Sequence, residues 1–156
     1  MQPSRLGEIW YSCPVYYLTL VAHNRNHICA NAAMQAAFIA FAERATHRGV
    51  SVGRYVLMPD HIHLFAAFSP ESVPLSKWIK SLKNSLSKCL RSRRHRAPHW
   101  QKGFFDHVLR NAGAYAAKWD YVRNNPLRAG LVDEPEKWLF QGQIRDIDLD
   151  LKNGRS

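Results

Sequence analysis

Two apolar segments separated by a Pro-Asp step limit the possible folds more than any other part of this sequence. Ser51–Met58 and His61–Phe68 are rich in branched and aromatic residues, and each has the length of an ordinary strand. The intervening Pro59 and Asp60 are typical of a tight turn. The pattern therefore predicts an antiparallel hairpin in the middle of the chain, against which the other elements must pack.

The other apolar segments complete an α+β pattern. In chain order they predict a strand at Val15–Ala22, a helix at Asn31–Arg48 ended by Gly49, a helix at Leu75–Ser92, a strand at Phe104–Arg110 and an added helix from Asn111 to about Asn124. Two strand–helix–strand units in this order predict a ferredoxin-like α+β sandwich, with a central antiparallel sheet and two helices on one face. The added C-terminal helix lies outside that core.

The size and composition of the chain indicate one domain. With 156 residues, of which 46% are apolar and 12% aromatic, the chain is long enough to bury a core. We predict a single domain over residues 1–132 and an acidic, loosely structured extension over residues 133–156, anchored by Trp138 and Phe140. No apolar run has the length of a membrane span, no signal-peptide pattern begins the chain, and the three cysteines lack Cys-x-x-Cys spacing. We therefore expect a cytoplasmic protein with reduced thiols and no membrane partner.

Two histidines interrupt the second strand of the hairpin. His61 and His63 are two residues apart, so in a strand they point to one side and Ile62 points to the other. One interpretation is a metal site, because two adjacent neutral imidazoles are good ligands for a divalent cation. The other is structural, because histidines also occur at half-buried strand ends. The pair alone does not distinguish these interpretations.

Positive charge dominates the polar residues. The chain has 22 Lys and Arg against 12 Asp and Glu, a formal net charge of +10, and residues 72–105 contain no acidic residue. Such a stretch is typical of a protein that binds phosphates, although a solvated basic face or a protein at an anionic membrane would look similar. The basic residues of the helix Leu75–Ser92 lie opposite its apolar stripe. The candidate nucleic-acid-binding residues are Arg25, Lys77, Lys80, Lys83, Arg91, Arg94, Lys102 and Lys118.

One tyrosine of the added helix lies apart from its apolar stripe. The spacing predicts a docking stripe formed by Tyr115, Trp119 and Val122. Tyr121 lies on another side of the helix, and Asn125 shares that side if the last turn stays helical, a geometry that Pro126 opposes. Tyr121 is therefore either open to a ligand or half-buried at a helix end.

Together these residues resemble the single-tyrosine HUH transposases of bacteria, and most of all their REP-associated tyrosine transposase branch. The likeness is carried by Met58–His63 and by Tyr121–Val132, which ends in Asn-Pro-Leu-Arg-Ala-Gly-Leu-Val. Supporting segments occur in the same order at residues 17–25, 78–83 and 100–106. The likeness therefore extends from about Val15 to Val132.

The resemblance implies a metal-dependent nuclease and DNA strand transferase. It implies that His61, His63 and Asn125 hold Mg²⁺ or Mn²⁺. It also implies that Tyr121 is the nucleophile, which forms a 5′-phosphotyrosine link with single-stranded or hairpin DNA. Relatives from insertion sequences commonly have glutamine where this sequence has Asn125. The protein would act as a monomer or a homodimer.

Two other functions remain compatible with the residues themselves. A non-catalytic nucleic-acid-binding module on the same fold would explain the charge and the open sheet. A metal-dependent phosphodiesterase would use water as the nucleophile and leave Tyr121 without a role. Only the transposase-type mechanism would produce a covalent protein–DNA adduct.

Overall fold

The computed structural model describes residues 13–147, which are built around one five-stranded sheet. The strands are β1 (Val15–Val21), β2 (Val50–Met58), β3 (His61–Phe68), β4 (Phe105–Leu109) and β5 (Gln141–Gln143). Their order is β4-β1-β3-β2-β5, and every neighbouring pair is antiparallel. The first four strands have the order of a ferredoxin-like sheet, so the predicted fold class is confirmed, and β3 with its histidines is the central strand.

Within residues 13–147, four α-helices accompany the sheet. They are α1 (Ala32–Arg44), α2 (Leu75–Ser92), α3 (Ala112–Arg123) and α4 (Asn125–Arg128). Asn31 and Asn111 begin α1 and α3, because each side chain accepts a hydrogen bond from a backbone N–H three residues on, at 2.9 and 2.8 Å. No helix in this part of the chain is long and apolar enough to cross a membrane.

The first helix is shorter than the sequence predicts. It was expected to reach Arg48, but α1 ends at Arg44 and the next four residues form a tighter 3₁₀ turn. Gly49 closes this turn with φ at +80°, a left-handed value that suits glycine. The chain then enters β2 directly.

The two faces of the sheet bury different cores. α1 and α2 pack on one face, where Ile62, Phe38 and Trp78 belong to one buried cluster. The alternate residues of the strands point to the other face, where Phe65 lies in a second cluster with Val122 of α3. We call this second face, which also carries His61 and His63, the site face. Among the described helices, α3 packs over part of this face and α4 brings Asn125 to it, whereas α1 and α2 pack on the opposite face.

Residues after Val132 contribute to the sheet. β5 pairs with β2, and Nε1 of Trp138 donates a hydrogen bond to the backbone oxygen of Leu57 at 3.0 Å. Ile147 is buried over Gly53, where a Cβ atom would lie 2.5 Å from its Cδ1. Residues 133–147 therefore extend the β2 edge, which the sequence pattern did not predict. The domain boundary at Val132 stays a prediction, and residues 1–12 and 148–156 of the two predicted units lie outside the described residues.

Candidate active site

The histidine pair lies at the start of β3, on the site face. Ile62 between the two histidines is fully buried in the opposite core, so the strand alternation turns His61 and His63 to the same side. Their Nε2 atoms are 3.0 Å apart, and the two rings meet edge to face. The arrangement brings two imidazole nitrogens to one point.

Asp60, in the turn before β3, orients His61. Its Oδ1 is 2.7 Å from Nδ1 of His61, and its Oδ2 is 3.0 Å from Nε of Arg25. An Nδ1–H that donates to Asp60 leaves Nε2 as the ring nitrogen with a free lone pair. Burial opposes the charge on Asp60, but the His61 hydrogen bond and the charges of His61 and Arg25 hold the pKa of this carboxyl below its usual value. Arg25 thus supports the site through Asp60.

Two residues of β1 hold His63 from the neighbouring strand. Thr19 is directly opposite His63, with its Oγ1 3.0 Å from Nδ1, and the Tyr17 hydroxyl is 2.8 Å from the same nitrogen. A proton on Nδ1 that is donated to these oxygens leaves Nε2 of His63 free to face His61. Burial raises the pKa of Tyr17 although its hydrogen bond with Thr19 opposes this, so the phenol stays protonated at neutral pH. The sequence alone did not identify Tyr17 or Thr19 as site residues, although their alternation in β1 was a usable signal.

Both histidines are neutral at neutral pH. Burial, followed by the positive charges of His61, Arg128 and Lys118, lowers the pKa of His63 to about 3. Burial also lowers the pKa of His61, although its hydrogen bond to Asp60 opposes this effect. Neutral imidazole is the form that binds a metal ion.

Asn125 reaches the histidine pair from α4. The backbone stays near-helical at Asn124, with φ −87° and ψ 0°, so α3 leads directly into α4 in spite of Pro126. Nδ2 of Asn125 is 2.8 Å from Nε2 of His63, and its Oδ1 accepts a hydrogen bond from Nη2 of Arg128 at 3.0 Å. The amide therefore meets the histidines with its nitrogen while Arg128 binds its oxygen.

Tyr121 stands beside this cluster on the outer side of α3. It is 58% exposed, whereas Val122 of the predicted docking stripe is fully buried. The guanidinium carbon of Arg128 lies 3.9 Å from the centre of the Tyr121 ring, and Nη2 of Arg128 is 2.7 Å from the Tyr121 backbone oxygen. One guanidinium thus contacts both Tyr121 and Asn125. Arg128 was not among the predicted site residues, although its spacing of seven residues from Tyr121 is helical.

Two of the three candidate ligands are placed to bind one divalent cation, and the third is not. The Nε2 atoms of His61 and His63 converge, whereas Asn125 faces them with its amide nitrogen instead of its oxygen. The 3.0 Å between the two Nε2 atoms matches the separation of adjacent ligands around an octahedral ion with bonds of about 2.1 Å. Among residues 13–147, no three His, Cys, Asp or Glu side chains form a metal-binding group. A third protein ligand would therefore be an amide such as Asn125, whose side chain would have to turn over and release Arg128 to present its oxygen.

The predicted DNA-binding residues are divided between different surfaces. Lys77, Lys80 and Arg91 are exposed on the outer surface of α2, across the sheet from the histidine pair. Lys118 lies on the site face, with its Nζ 4.9 Å from the centre of the Tyr17 ring. The exposed Arg94 and Lys102 lie in the segment that leads from α2 to β4. The structure brings Lys118 and Arg25 to the candidate site and leaves the α2 residues on the other side.

Lys83 differs from the other lysines of α2. Its Nζ donates hydrogen bonds to the backbone oxygens of Gln101 and Gly103, at 3.0 and 2.6 Å. Burial lowers the pKa of this ammonium group. Lys83 therefore fixes the loop before β4, a contact that its position among exposed lysines did not predict.

Known proteins similar to this chain are transposases. The sequence model of the family described as IS200-like transposase matches residues 11–125. A Haemophilus influenzae protein provisionally named REP-associated tyrosine transposase is 22% identical over 147 residues, which cover 88% of this chain and 84% of that protein. The REP-associated tyrosine transposase of Escherichia coli K12 is 24% identical over 100 residues, covering 64% of this chain and 58% of that protein.

Two solved structures share the fold. A REP-associated tyrosine transposase bound to a REP hairpin gives a TM-score of 0.67 at 20% identity, covering 82% of this chain and 75% of that one. A protein of Deinococcus radiodurans R1, provisionally named as a transposase, gives a TM-score of 0.51 at 20% identity, covering 72% of this chain and 90% of that one. At these identities the likeness establishes the fold alone.

Proposed function

Because this chain belongs to the IS200-like transposase family, whose activity is the cleavage and transposition of DNA, we propose that it cuts and rejoins single-stranded DNA through a covalent bond to Tyr121. The observation that carries the proposal is the contact of Arg128 with both the Tyr121 ring and the Asn125 amide, which in turn reaches His63. An exposed phenol is thereby linked through Arg128 and Asn125 to a pair of neutral histidines, of which His63 is buried. A pure binding module does not require that combination.

We propose that His61, His63 and Asn125 hold a divalent metal ion, Mg²⁺ or Mn²⁺. The 3.0 Å between the Nε2 atoms and the neutral state of both rings support the histidines as ligands. Asn125 would contribute its Oδ1 after its amide turns over. When bound, the ion would neutralise charge on the scissile phosphate and orient it.

Tyr121 supplies the nucleophile in this proposal. Its hydroxyl oxygen attacks the scissile phosphorus, and the bond from phosphorus to the 3′ oxygen of the preceding nucleotide breaks. The phenol proton passes to solvent and the leaving oxygen takes up a proton, which yields a 5′-phosphotyrosine and a free 3′-OH. A 3′-OH from another strand can reverse the step and rejoin DNA, because the phosphodiester is conserved as a phosphotyrosine ester. No nucleotide cofactor is needed.

Arg128 positions the nucleophile. Its guanidinium lies over the Tyr121 ring and binds the Tyr121 backbone oxygen, which restricts both the ring and the end of α3. Both of its hydrogen bonds within residues 13–147 use Nη2, so one guanidinium nitrogen connects the end of α3 with the Asn125 amide.

We propose unpaired DNA next to a hairpin as the substrate. A net charge of +10 suits a phosphate backbone. One protein of the same fold is bound to a REP hairpin. The cations on the outer surface of α2 and those of the site face would contact different parts of such a molecule.

Tyr121→Phe tests the proposal. In Mg²⁺ the parent protein should form a covalent adduct with a single-stranded oligonucleotide, visible as a shifted band in a denaturing gel. Tyr121→Phe should bind the DNA and form none, because the attacking oxygen is gone, whereas Tyr115→Phe in the docking stripe should keep the adduct. His61→Ala, His63→Ala or excess chelator should abolish the adduct and leave most of the affinity. Cleavage without an adduct would indicate a hydrolase, and binding without cleavage would indicate a binding module.

A further inference from the structure

β4 carries an exposed aromatic side chain on the same face as the histidine pair. In the register of the sheet Phe105 is opposite Thr19, and Thr19 is opposite His63. Residues directly opposite each other in antiparallel strands point to the same side, so all three lie on the site face. Two strand spacings of about 4.8 Å place Phe105 roughly 10 Å from His63 across the sheet.

The same register brings a second ring to this surface. His107 is opposite Tyr17 and therefore also points to the site face. Phe105 is 65% exposed and His107 is exposed too, because α3 covers the other end of β4, where Leu109 is buried. Within residues 13–147 this end of the site face presents two aromatic rings, Phe105 and His107, which we call the β4 shelf.

Cations and a fixed loop surround the β4 shelf. Lys118 lies over the Tyr17 ring, one strand from the shelf. The exposed Lys102 lines a small pocket with Phe105 at the start of β4. Lys83 holds the loop before β4 through its hydrogen bonds to two backbone oxygens. The backbone next to the β4 shelf is therefore held in place by contacts within the protein itself, without a ligand.

We propose that the β4 shelf stacks with unpaired bases of the DNA strand close to the scissile phosphate, with Phe105 as the main contact. The inference rests on the proposed function, because it takes the scissile phosphate to lie beside His63 and Tyr121. Single-stranded DNA combines a charged backbone with flat apolar bases, and a surface of exposed rings among cations matches both. Because every base has an aromatic face, the shelf would hold the strand in place with little sequence preference.

An extended protein segment is the other partner that an edge strand such as β4 can accept. The surroundings of the shelf favour nucleic acid, because the nearby Lys102 and Lys118 are positive. The exposed Asp106 lies between the two rings in sequence, but it is opposite Leu18 and therefore points away from the site face. Backbone pairing along β4 would also make no use of the exposed ring of Phe105.

Substitutions at Phe105 separate stacking from general apolar contact. Phe105→Ala and Phe105→Leu remove the aromatic face, whereas Phe105→Tyr keeps it. By fluorescence anisotropy with a single-stranded oligonucleotide, the alanine and leucine variants should bind roughly 5- to 150-fold more weakly, and the tyrosine variant should bind as the parent does. Leu139→Ala is the matched control, because Leu139 is 77% exposed next to β5 at the opposite edge of the sheet.

Oligonucleotides with one abasic site, moved stepwise along the strand, identify the base on the shelf. At one or two positions near the cleavage site, the missing base should weaken binding to the parent and to Leu139→Ala. It should not weaken binding to Phe105→Ala any further, because the contact is already lost. Thermal denaturation should show equal stability for all variants, since both substituted side chains are exposed.

Unchanged DNA affinity in Phe105→Ala would overturn the inference. So would abasic sites that weaken binding to Phe105→Ala as much as they weaken binding to the parent at every position. Unchanged affinity with loss of self-association would instead assign this edge to a protein partner. The proposed function is tested separately, by whether Tyr121 forms a covalent adduct with DNA. A parent protein that forms the adduct while Phe105→Ala binds normally refutes the β4 shelf alone, and absence of the adduct refutes the proposed function.

Discussion

Replacing Arg128 by alanine should slow DNA cleavage far more than it weakens DNA binding. Arg128 contacts the ring and the backbone oxygen of Tyr121 and the amide oxygen of Asn125, at 3.9, 2.7 and 3.0 Å. An exposed cation–π contact contributes about 0.5–1 kcal/mol, and each hydrogen bond contributes about 1 kcal/mol. Because Asn125 releases Arg128 when it turns to the metal, only the two contacts with Tyr121 count, and their loss should raise the barrier to attack by about 1.5–2 kcal/mol, which is a roughly 10- to 30-fold slower step.

Two further variants separate the geometry of Arg128 from its charge. Arg128→Lys keeps the charge, but an ammonium group cannot lie flat on the Tyr121 ring and also bind the Tyr121 backbone oxygen, so most of the loss should remain. Arg123→Ala removes the same charge one turn away, where Arg123 pairs with Glu136 at 3.4 Å on the surface. That exposed pair contributes little, so Arg123→Ala should cleave DNA at nearly the parent rate.

Single-turnover cleavage of an end-labelled single-stranded oligonucleotide at saturating protein measures the rate, and a parallel titration measures the dissociation constant. The rate should fall in Arg128→Ala while its dissociation constant stays close to that of Arg123→Ala. Cleavage by Arg128→Ala at the rate of Arg123→Ala would refute the reasoning. Equal losses of rate and affinity would show that Arg128 binds phosphate and does not position Tyr121.

Two other predictions concern proton binding and salt. The folded-state pKa of His63 is depressed to about 3 from 6.5, so only the unfolded chain takes up this proton as the pH falls below 6.5. The free energy of unfolding should therefore decrease by about 1.4 kcal/mol per pH unit between pH 6.5 and about pH 3 on account of His63. Urea denaturation in chelator should show a shallower dependence for His63→Gln, and identical slopes would contradict the buried neutral state. Lys102→Ala should reduce the log–log salt slope of binding to single-stranded DNA by about 0.7, because one phosphate contact is lost. A slope that changes in neither Lys102→Ala nor Lys80→Ala would place the DNA on another surface.

The strands and the histidine pair were predictable because their signals are local. Alternation along His61–Phe68 fixes which residues face the core, and the buried Ile62 follows from it. The caps at Asn31 and Asn111 depend on a side chain and a backbone N–H three residues apart. These features need no information about distant parts of the chain.

The rest of the site depends on contacts between segments that are distant in sequence, or on a misleading local signal. Thr19 meets His63 through the register of two strands, and Lys83 meets its loop through the packing of α2, so neither partner follows from spacing. Pro126 predicted a helix end, but proline is tolerated in a first helical turn, and the chain continues as α4. That continuation brings Arg128 back to Tyr121.

β5 was missed for a related reason. Gln141–Gln143 has no apolar alternation, and its strand conformation depends on the edge that β2 offers for pairing. Tertiary structure therefore overrides a weak local preference there. Gly53 also depends on tertiary structure, because the reason for a glycine there is the close approach of Ile147, which is distant in sequence.

The position of the cations on opposite faces of one sheet constrains the route that a DNA molecule can take. β5 pairs with the β2 edge, whereas the β4 edge carries no further strand within residues 13–147, so we expect a DNA strand in contact with both the outer surface of α2 and Tyr121 to pass around the β4 edge. That route crosses the loop fixed by Lys83 and then the β4 shelf. The stem of a hairpin and its unpaired end would then lie on opposite sides of the protein. β4 would then lie at the junction between the duplex stem and the single strand.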